Sequence, residues 1–154
     1  MTLSSDFSFR SLRHDEVDDA MALLDEALLV PKGSTASEHV LEQAQHGSCL
    51  GAFDAEGQLV AYVQWMDRYV NVHGRRLRCG FSGPGATRPG VMGAGLMTQL
   101  VRHTLREMAE ARCVFAMLET PVFGWHQRNG YEVCTAARRY DLSLIHISEP
   151  TRPY

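Results

Sequence analysis

Leu77-Arg78-Cys79-Gly80-Phe81-Ser82-Gly83-Pro84-Gly85-Ala86-Thr87 runs into Arg88-Pro89-Gly90-Val91-Met92-Gly93-Ala94-Gly95-Leu96-Met97. From about Met97 to Ala111 the apolar residues then recur at helical spacing, with Leu100, Val101, Leu105 and Met108 joining Leu96 on one face. The stretch therefore predicts a strand, a glycine-rich turn and a helix. Glycines between a strand end and a helix start let main-chain N–H groups converge on one point, and the helix dipole adds partial positive charge there. That geometry suits a phosphate, so the first expectation is a phosphate-bearing cofactor.

Two common phosphate-binding turns do not fit. A Walker loop ends in Gly-Lys-Ser/Thr, and the chain's one lysine is Lys32, far from the turn. A dinucleotide fingerprint needs a third glycine where Thr98 stands, and no strand–helix–strand unit opens upstream of it. The spacing of Pro89, Met92, Gly95 and Met97 resembles the loop of the GCN5-related N-acetyltransferase (GNAT) family, Arg/Gln-x-x-Gly-x-Gly/Ala after a frequent proline. Methionines occupy the arginine position and the last small position. Downstream, Trp125-His126-Gln127-Arg128-Asn129-Gly130-Tyr131-Glu132 resembles the family's second motif, with His126 in its tyrosine position and Asn129 in an apolar one. Upstream, Met66 to Gly74 resembles the β-hairpin of the enhanced-intracellular-survival (Eis-like) branch, and Gly95-Leu96-Met97 is similar to that branch's loop. The resemblance covers about Phe7 to Leu142.

It implies an α/β fold: a mixed, mostly antiparallel sheet, splayed between strands four and five and flanked by helices. It also implies an acetyl-CoA-dependent N-acetyltransferase acting on a primary amine of a small molecule, polyamine- or aminoglycoside-like. Main-chain atoms of Met92, Gly93, Ala94, Gly95, Leu96, Met97 and Thr98 would hold the pyrophosphate. Gly85, Ala86 and Thr87 would pair with the pantetheine arm, with Thr120 and Pro121 at the thiol end. Arg88 would partly replace the missing loop charge. His126 stands where the family keeps its general-acid tyrosine. The general base of Eis-like enzymes is a C-terminal carboxylate that nothing here supplies; Glu119 is the nearby carboxylate, equally readable as a solvated helix cap. Asp67, Glu119 and Glu132 are candidates to line an acidic acceptor pocket. The alternatives are a catalytically impaired acyl-CoA-binding domain, or a fragment of a larger Eis-like protein that is not stable alone.

The rest of the chain fits one domain over 1–142. Its 154 residues are 45% apolar and 21% charged, with a net charge of −3, so nothing draws it toward nucleic acid or an acidic membrane. Cys49, Cys79, Cys113 and Cys134 form no CxxC pair and read as buried free thiols, which suits a reducing cytoplasm. No histidine pair has metal-ligand spacing, so no metal is expected. Phe7–Leu12 alternates as an edge strand. Asp15 or His14 opens a helix whose inner face is Val17, Ala20, Met21, Leu24, Ala27 and Leu28, closed by Pro31 and Gly33. Ser34 or Thr35 opens a second helix to Gln45, with Val40, Leu41 and Ala44 inward. Ser48–Phe53 and Gln58–Met66 form a hairpin whose second strand extends toward Val72. Pro84 forbids full pairing of the central strand and marks either the family's splay or a β-bulge. His103, Arg106, Glu107 and Glu110 fall on the outer face of the third helix. Cys113–Leu118 reads as a strand covered on both faces. Pro121–Arg128 reads as a short helix closed by Gly130, and Tyr131–Leu142 as a last strand pair or one long bent strand. Residues 143–154, with two prolines, resemble a translated sequencing adapter of a metagenomic reading frame, and are expected to be a non-native flexible tail. The full-length form would be larger, with homo-oligomer formation open to it.

Overall fold

The computed structural model describes residues 7–28, 38, 41, 42, 44, 47–120 and 122–134. It divides into two units, Met1–Pro121 and Val122–Tyr154. In the first, β1 (Ser8–Ser11), α1 (Val17–Leu28), β2 (Ser48–Phe53), β3 (Leu59–Val72), β4 (Arg75–Thr87), α2 (Leu96–Glu110) and β5 (Phe115–Leu118) follow in order, with single 3-10 turns at His14–Glu16 and Pro89–Val91. In the second, α3 spans Phe123–Arg128. The strands form one sheet in the order β1-β2-β3-β4-β5, antiparallel except for parallel β4 and β5. This is the expected α/β architecture.

Alternation along β2 and β3 divides the core between the two faces of the sheet. Val17, Ala20, Met21, Leu23 and Leu24 of α1 pack with Cys49, Phe53, Leu59, Tyr62 and Ala86. Leu96 and Leu100 of α2 pack with Leu50, Ala52, Val60, Ala61 and Val63. Each helix thus buries one apolar stripe on the sheet, which is what its 3.6-residue period requires. Residues 38, 41, 42 and 44 are helical, with Ala44 buried and Leu41 packed beside it. The other residues of that expected helix, and Pro31, Gly33 and 143–154, lie outside the described residues.

The α1 entry differs from its expectation. Arg13, rather than His14 or Asp15, is the cap position, and Glu16 supplies the capping carboxylate, accepting the Arg13 N–H at 2.8 Å. Two guanidinium nitrogens of Arg10 donate to Glu16 at 2.7 Å, and Arg13 pairs with it at 2.7 Å. Arg10 also lies 3.7 Å over the Phe53 ring. These contacts, chiefly the Arg10 hydrogen bonds, hold the Glu16 carboxyl down at about 2.

Further expectations are corrected. Glu107 is half-buried, not solvated: Oε2 accepts the Trp65 indole N–H at 2.7 Å and the Ser48 hydroxyl at 2.9 Å, tying α2 to β3 and β2. β5 begins at Phe115, because the Cys113 N–H goes to the Met108 carbonyl. It is not covered on both faces: Phe115 is 37% exposed, and among the described residues β5 has only β4 as a sheet neighbour. The thiols are free, but Cys113 is half-buried and Cys134 exposed. Residues 131–134 form no strand, and 135–142 lie outside the described residues.

At Pro84 the strand is both bulged and released. Gln64 alone faces Gly83 and Pro84 between the pairs Val63–Gly85 and Trp65–Ser82. Pairing of β4 with β5 stops at Ser82–Leu118. From Gly83 to Thr87, β4 keeps β3 on one side and has no strand on the other among the described residues. The proline sits where no ladder on that side needs its missing N–H.

Candidate functional site

The loop between β4 and α2 is built by backbone conformation. Arg88 leads into the 3-10 turn Pro89–Val91, whose carbonyls take the amides that follow: Met92 N–H goes to Pro89 O and Ala94 N–H to Val91 O, each at 3.3 Å. Gly93 (φ 86°) and Gly95 (φ 79°) take left-handed conformations that side chains with a Cβ resist. Gly95 caps α2 without a side-chain hydrogen bond. The first helical bond is Gln99 N–H to Gly95 O at 3.2 Å. The amides of Leu96, Met97 and Thr98 therefore have no acceptor within the helix, and they lie at the positive end of its dipole. Amides so placed can donate to an anion.

Each loop side chain has a separate task. Leu96 is buried and anchors the helix in the core, whereas Met92 is 60% exposed. Met97 packs on the α2 side of the sheet and reaches β4: a Cβ at Gly85 would stand 3.3 Å from Met97 Cε and 3.0 Å from the Tyr62 carbonyl oxygen. Gly85 and the loop are thus brought together, and Met97 fills space that a smaller residue would leave empty. Ala86 is buried in the α1 cluster, and Thr87 and Thr120 are half-buried. Pro121 lies outside the described residues. Arg88 turns toward α1: Nε is 3.6 Å from Glu26, and the guanidinium donates to Gln58 at 3.3 Å.

Asp67 is held by Arg78, with contacts of 2.7 and 2.9 Å, and Glu119 and Glu132 are exposed. Among the described residues, no group of three or more His, Cys, Asp and Glu side chains could hold a metal ion.

In the second unit α3 ends at Asn129 in a Schellman arrangement. Gly130 (φ 90°) donates its N–H to Gln127 O at 3.0 Å, and Tyr131 donates to His126 O at 3.2 Å. This turn sets the Tyr131 ring edge-on to the His126 imidazole at 5.6 Å, while Trp125 stands edge-on at 4.7 Å. His126 Nδ1 is buried without a hydrogen-bond partner among the described residues, and burial lowers the imidazole pKa.

Sequence reading passed over Gln64. It is the lone carboxamide in the run Leu59–Met66, is 1% exposed, and meets the β4 bulge. That interruption was the available signal.

The model of the family described as Acetyltransferase (GNAT) domain matches residues 8–134. No curated protein matches the chain in sequence. Among solved structures, it is similar to a conserved protein of unknown function from Enterococcus faecalis V583, a probable N-acyltransferase, at TM-score 0.75 and 20% identity. That match covers 82% of this chain and 32% of the other, so this chain spans about a third of that protein. An aminoglycoside antibiotic 6′-N-acetyltransferase from Acinetobacter baumannii matches at TM-score 0.69 and 17% identity, over 90% of this chain and 99% of its own. AAC(6′)-Iy in complex with the bisubstrate analogue CoA-S-monomethyl-acetylneamine matches at TM-score 0.69 and 19% identity, over 90% and 99%. At these identities the structural likeness is one of fold.

Proposed function

The chain belongs to the GNAT acetyltransferase domain family, and from that premise we propose that it transfers an acetyl group from acetyl-CoA to a primary amine of a small molecule. A polyamine- or aminoglycoside-like acceptor is the favoured class, on the Eis-like likeness of the hairpin and loop. One observation carries the reading: β4 loses β5 at Ser82 and runs on beside a helix N-terminus with three uncommitted amides.

The residues present fit the cofactor. The amides of Leu96, Met97 and Thr98 suit a pyrophosphate, and the unpaired side of Gly85–Thr87 suits an extended, amide-bearing arm. Acetyl-CoA, when bound, supplies the activated acyl group. The chain's part is to fix and orient it along β4 and to move a proton. His126 is the proposed proton donor, through its imidazolium form.

A second reading, a domain that binds acyl-CoA without turnover, is favoured by the exposed Met92 and by an imidazole whose pKa burial lowers. One experiment separates the two. Titration with coenzyme A should show binding, and thiol release from acetyl-CoA should then rise with spermidine or an aminoglycoside present. Binding with no amine-dependent release would establish the second reading; absence of binding would sink both.

A further inference from the structure

β3 carries two polar side chains in the most buried part of the sheet. Tyr62 is fully buried and Gln64 is 1% exposed. They lie two residues apart on one face, and the Tyr62 hydroxyl donates to Gln64 Oε1 at 3.3 Å. Val17, Ala20, Met21, Leu24 and Ala86 belong to the apolar cluster around Tyr62. A carboxamide in such surroundings is costly unless its polar atoms are engaged. Burial, and then the nearby Cys49 thiol, push the Tyr62 phenol well above its ordinary range, so it remains a neutral donor.

The Gln64 carboxamide lies against β4 at one place. A Cβ at Gly83 would stand 2.7 Å from both Gln64 Cγ and Nε2. That place is the bulge, where Gln64 faces Gly83 and Pro84 together, one residue past the last β4–β5 pair. We infer that Tyr62 and Gln64 act as a positioning pair: the carboxamide, oriented by the phenol, holds the Gly83–Pro84 bulge and so fixes which main-chain groups of Gly83–Thr87 face the open edge. A bulge adds one residue to one strand, so the alternation of main-chain groups changes phase across it. A slip by one residue would turn the opposite set of N–H and C=O groups toward the edge. An apolar side chain can fill the volume, but it cannot orient the backbone. The inference rests on the acyl-transfer reading for its kinetic consequence, not for its structural one.

The test uses the whole chain with Gln64→Met, which keeps length and volume, and Tyr62→Phe, which removes one oxygen. In the ligand-free protein, amide exchange from Gly83 to Thr87 should quicken by about 10-fold or more in Gln64→Met, while Arg68 to Leu77 stays as in the parent. The coenzyme A dissociation constant should stay within about 2-fold, and kcat should fall by about 10-fold. Tyr62→Phe should show the same local pattern at smaller size, and the double variant should be no worse than Gln64→Met. Unchanged exchange at Gly83–Thr87 in a folded variant overturns the inference. So does exchange that quickens evenly across the sheet, with kcat falling only in step with melting temperature. If Gln64→Met does not fold, Tyr62→Phe decides by the same readings. Local quickening in a chain that neither binds coenzyme A nor transfers acetyl groups supports the positioning role while refuting the acyl-transfer reading.

Discussion

The loop entering α2 and the stretch from Trp125 to Tyr131 both depart from the family pattern, and the departures weigh differently. In the loop the proposed working atoms are main-chain amides. Methionine at 92 or 97 leaves those of Leu96, Met97 and Thr98 in place, because Gly93 and Gly95 set the backbone. In the second stretch the proposed working atom belongs to a side chain. His126 in place of a phenol changes which proton is available and at what pH, and its burial lowers the fraction protonated further. A substitution is therefore nearly silent where function resides in the backbone, and it rewrites the chemistry where function resides in a side chain.

The largest expected effect tests the side-chain half of that contrast. If His126 donates the proton, His126→Ala should lower kcat by about 10²-fold or more. The sign of the pH dependence follows from the lowered pKa: imidazolium is plentiful only below it, so turnover per neutral amine falls as pH rises through it. His126→Tyr supplies a phenol, with an ordinary pKa of about 10, and should move the optimum upward. An alanine variant with the parent's kcat and pH profile would remove the distinction between the two stretches.

Glu16 provides a reference outside both. Its carboxyl sits at about 2 when folded against an ordinary 4.5, so the group adds stability above about 4.5 that is lost as pH falls toward 2. With its side chain 9% exposed and Arg10 38% exposed, the pair is screened on one side only. Glu16→Gln should lower stability by about 2 kcal/mol at neutral pH, and by progressively less as acid is added. Denaturant melts at pH 7 and pH 3 check this; equal losses at both would show that the charge is not the cause. Coenzyme A affinity of the folded variant should not change.

The backbone half is tested at Gly95. A β-branched residue is strained at φ 79° and places a Cβ beside the free amides. Gly95→Val should weaken coenzyme A binding by at least about 10-fold, or about 1.4 kcal/mol. Gly95→Asn, which tolerates that conformation better, should lose less. Calorimetric titration of both decides it, and parent-like affinity in a folded Gly95→Val would place the phosphate elsewhere.

What the sequence shows of this molecule is its local periodicity. Ser48–Phe53 was legible to the residue and α2 to within one, because apolar spacing is a property of the element itself. The α2 cap was legible too, since glycine is the residue that left-handed backbone needs. What escaped depends on neighbours. Glu107 follows the polar phase of its helix, yet Trp65 and Ser48, about 40 and 60 residues earlier, supply it with donors. Cys113–Leu118 has the composition of a covered strand, but its exposure depends on which strands flank it. Glu16 reads as one more acid of a helix entry until Arg10 is brought across from β1. At the candidate site, Gly85 and the loop lie together through a Met97 contact that no spacing rule announces.

The smallest expected effect sharpens the comparison by restoring a side chain where the backbone is held to suffice. Met92 occupies the family's arginine position and is 60% exposed. Met92→Arg adds a guanidinium on a flexible stem, in water, near the point where the amides of Leu96 to Thr98 converge. An exposed charge pair is worth at most about 1 kcal/mol, and part of that is spent in ordering the long side chain. Coenzyme A affinity should therefore rise by no more than about 5-fold at low salt, and the gain should shrink by 0.5 M salt as screening shortens the reach of the charge. The binding enthalpy should change little, because the amides continue to make the direct contacts. Titrations of parent and variant at two salt concentrations measure this. A gain of 100-fold, or a parent that binds no coenzyme A until the arginine is present, would mean that the loop depends on its side chain as heavily as the Trp125–Tyr131 stretch does.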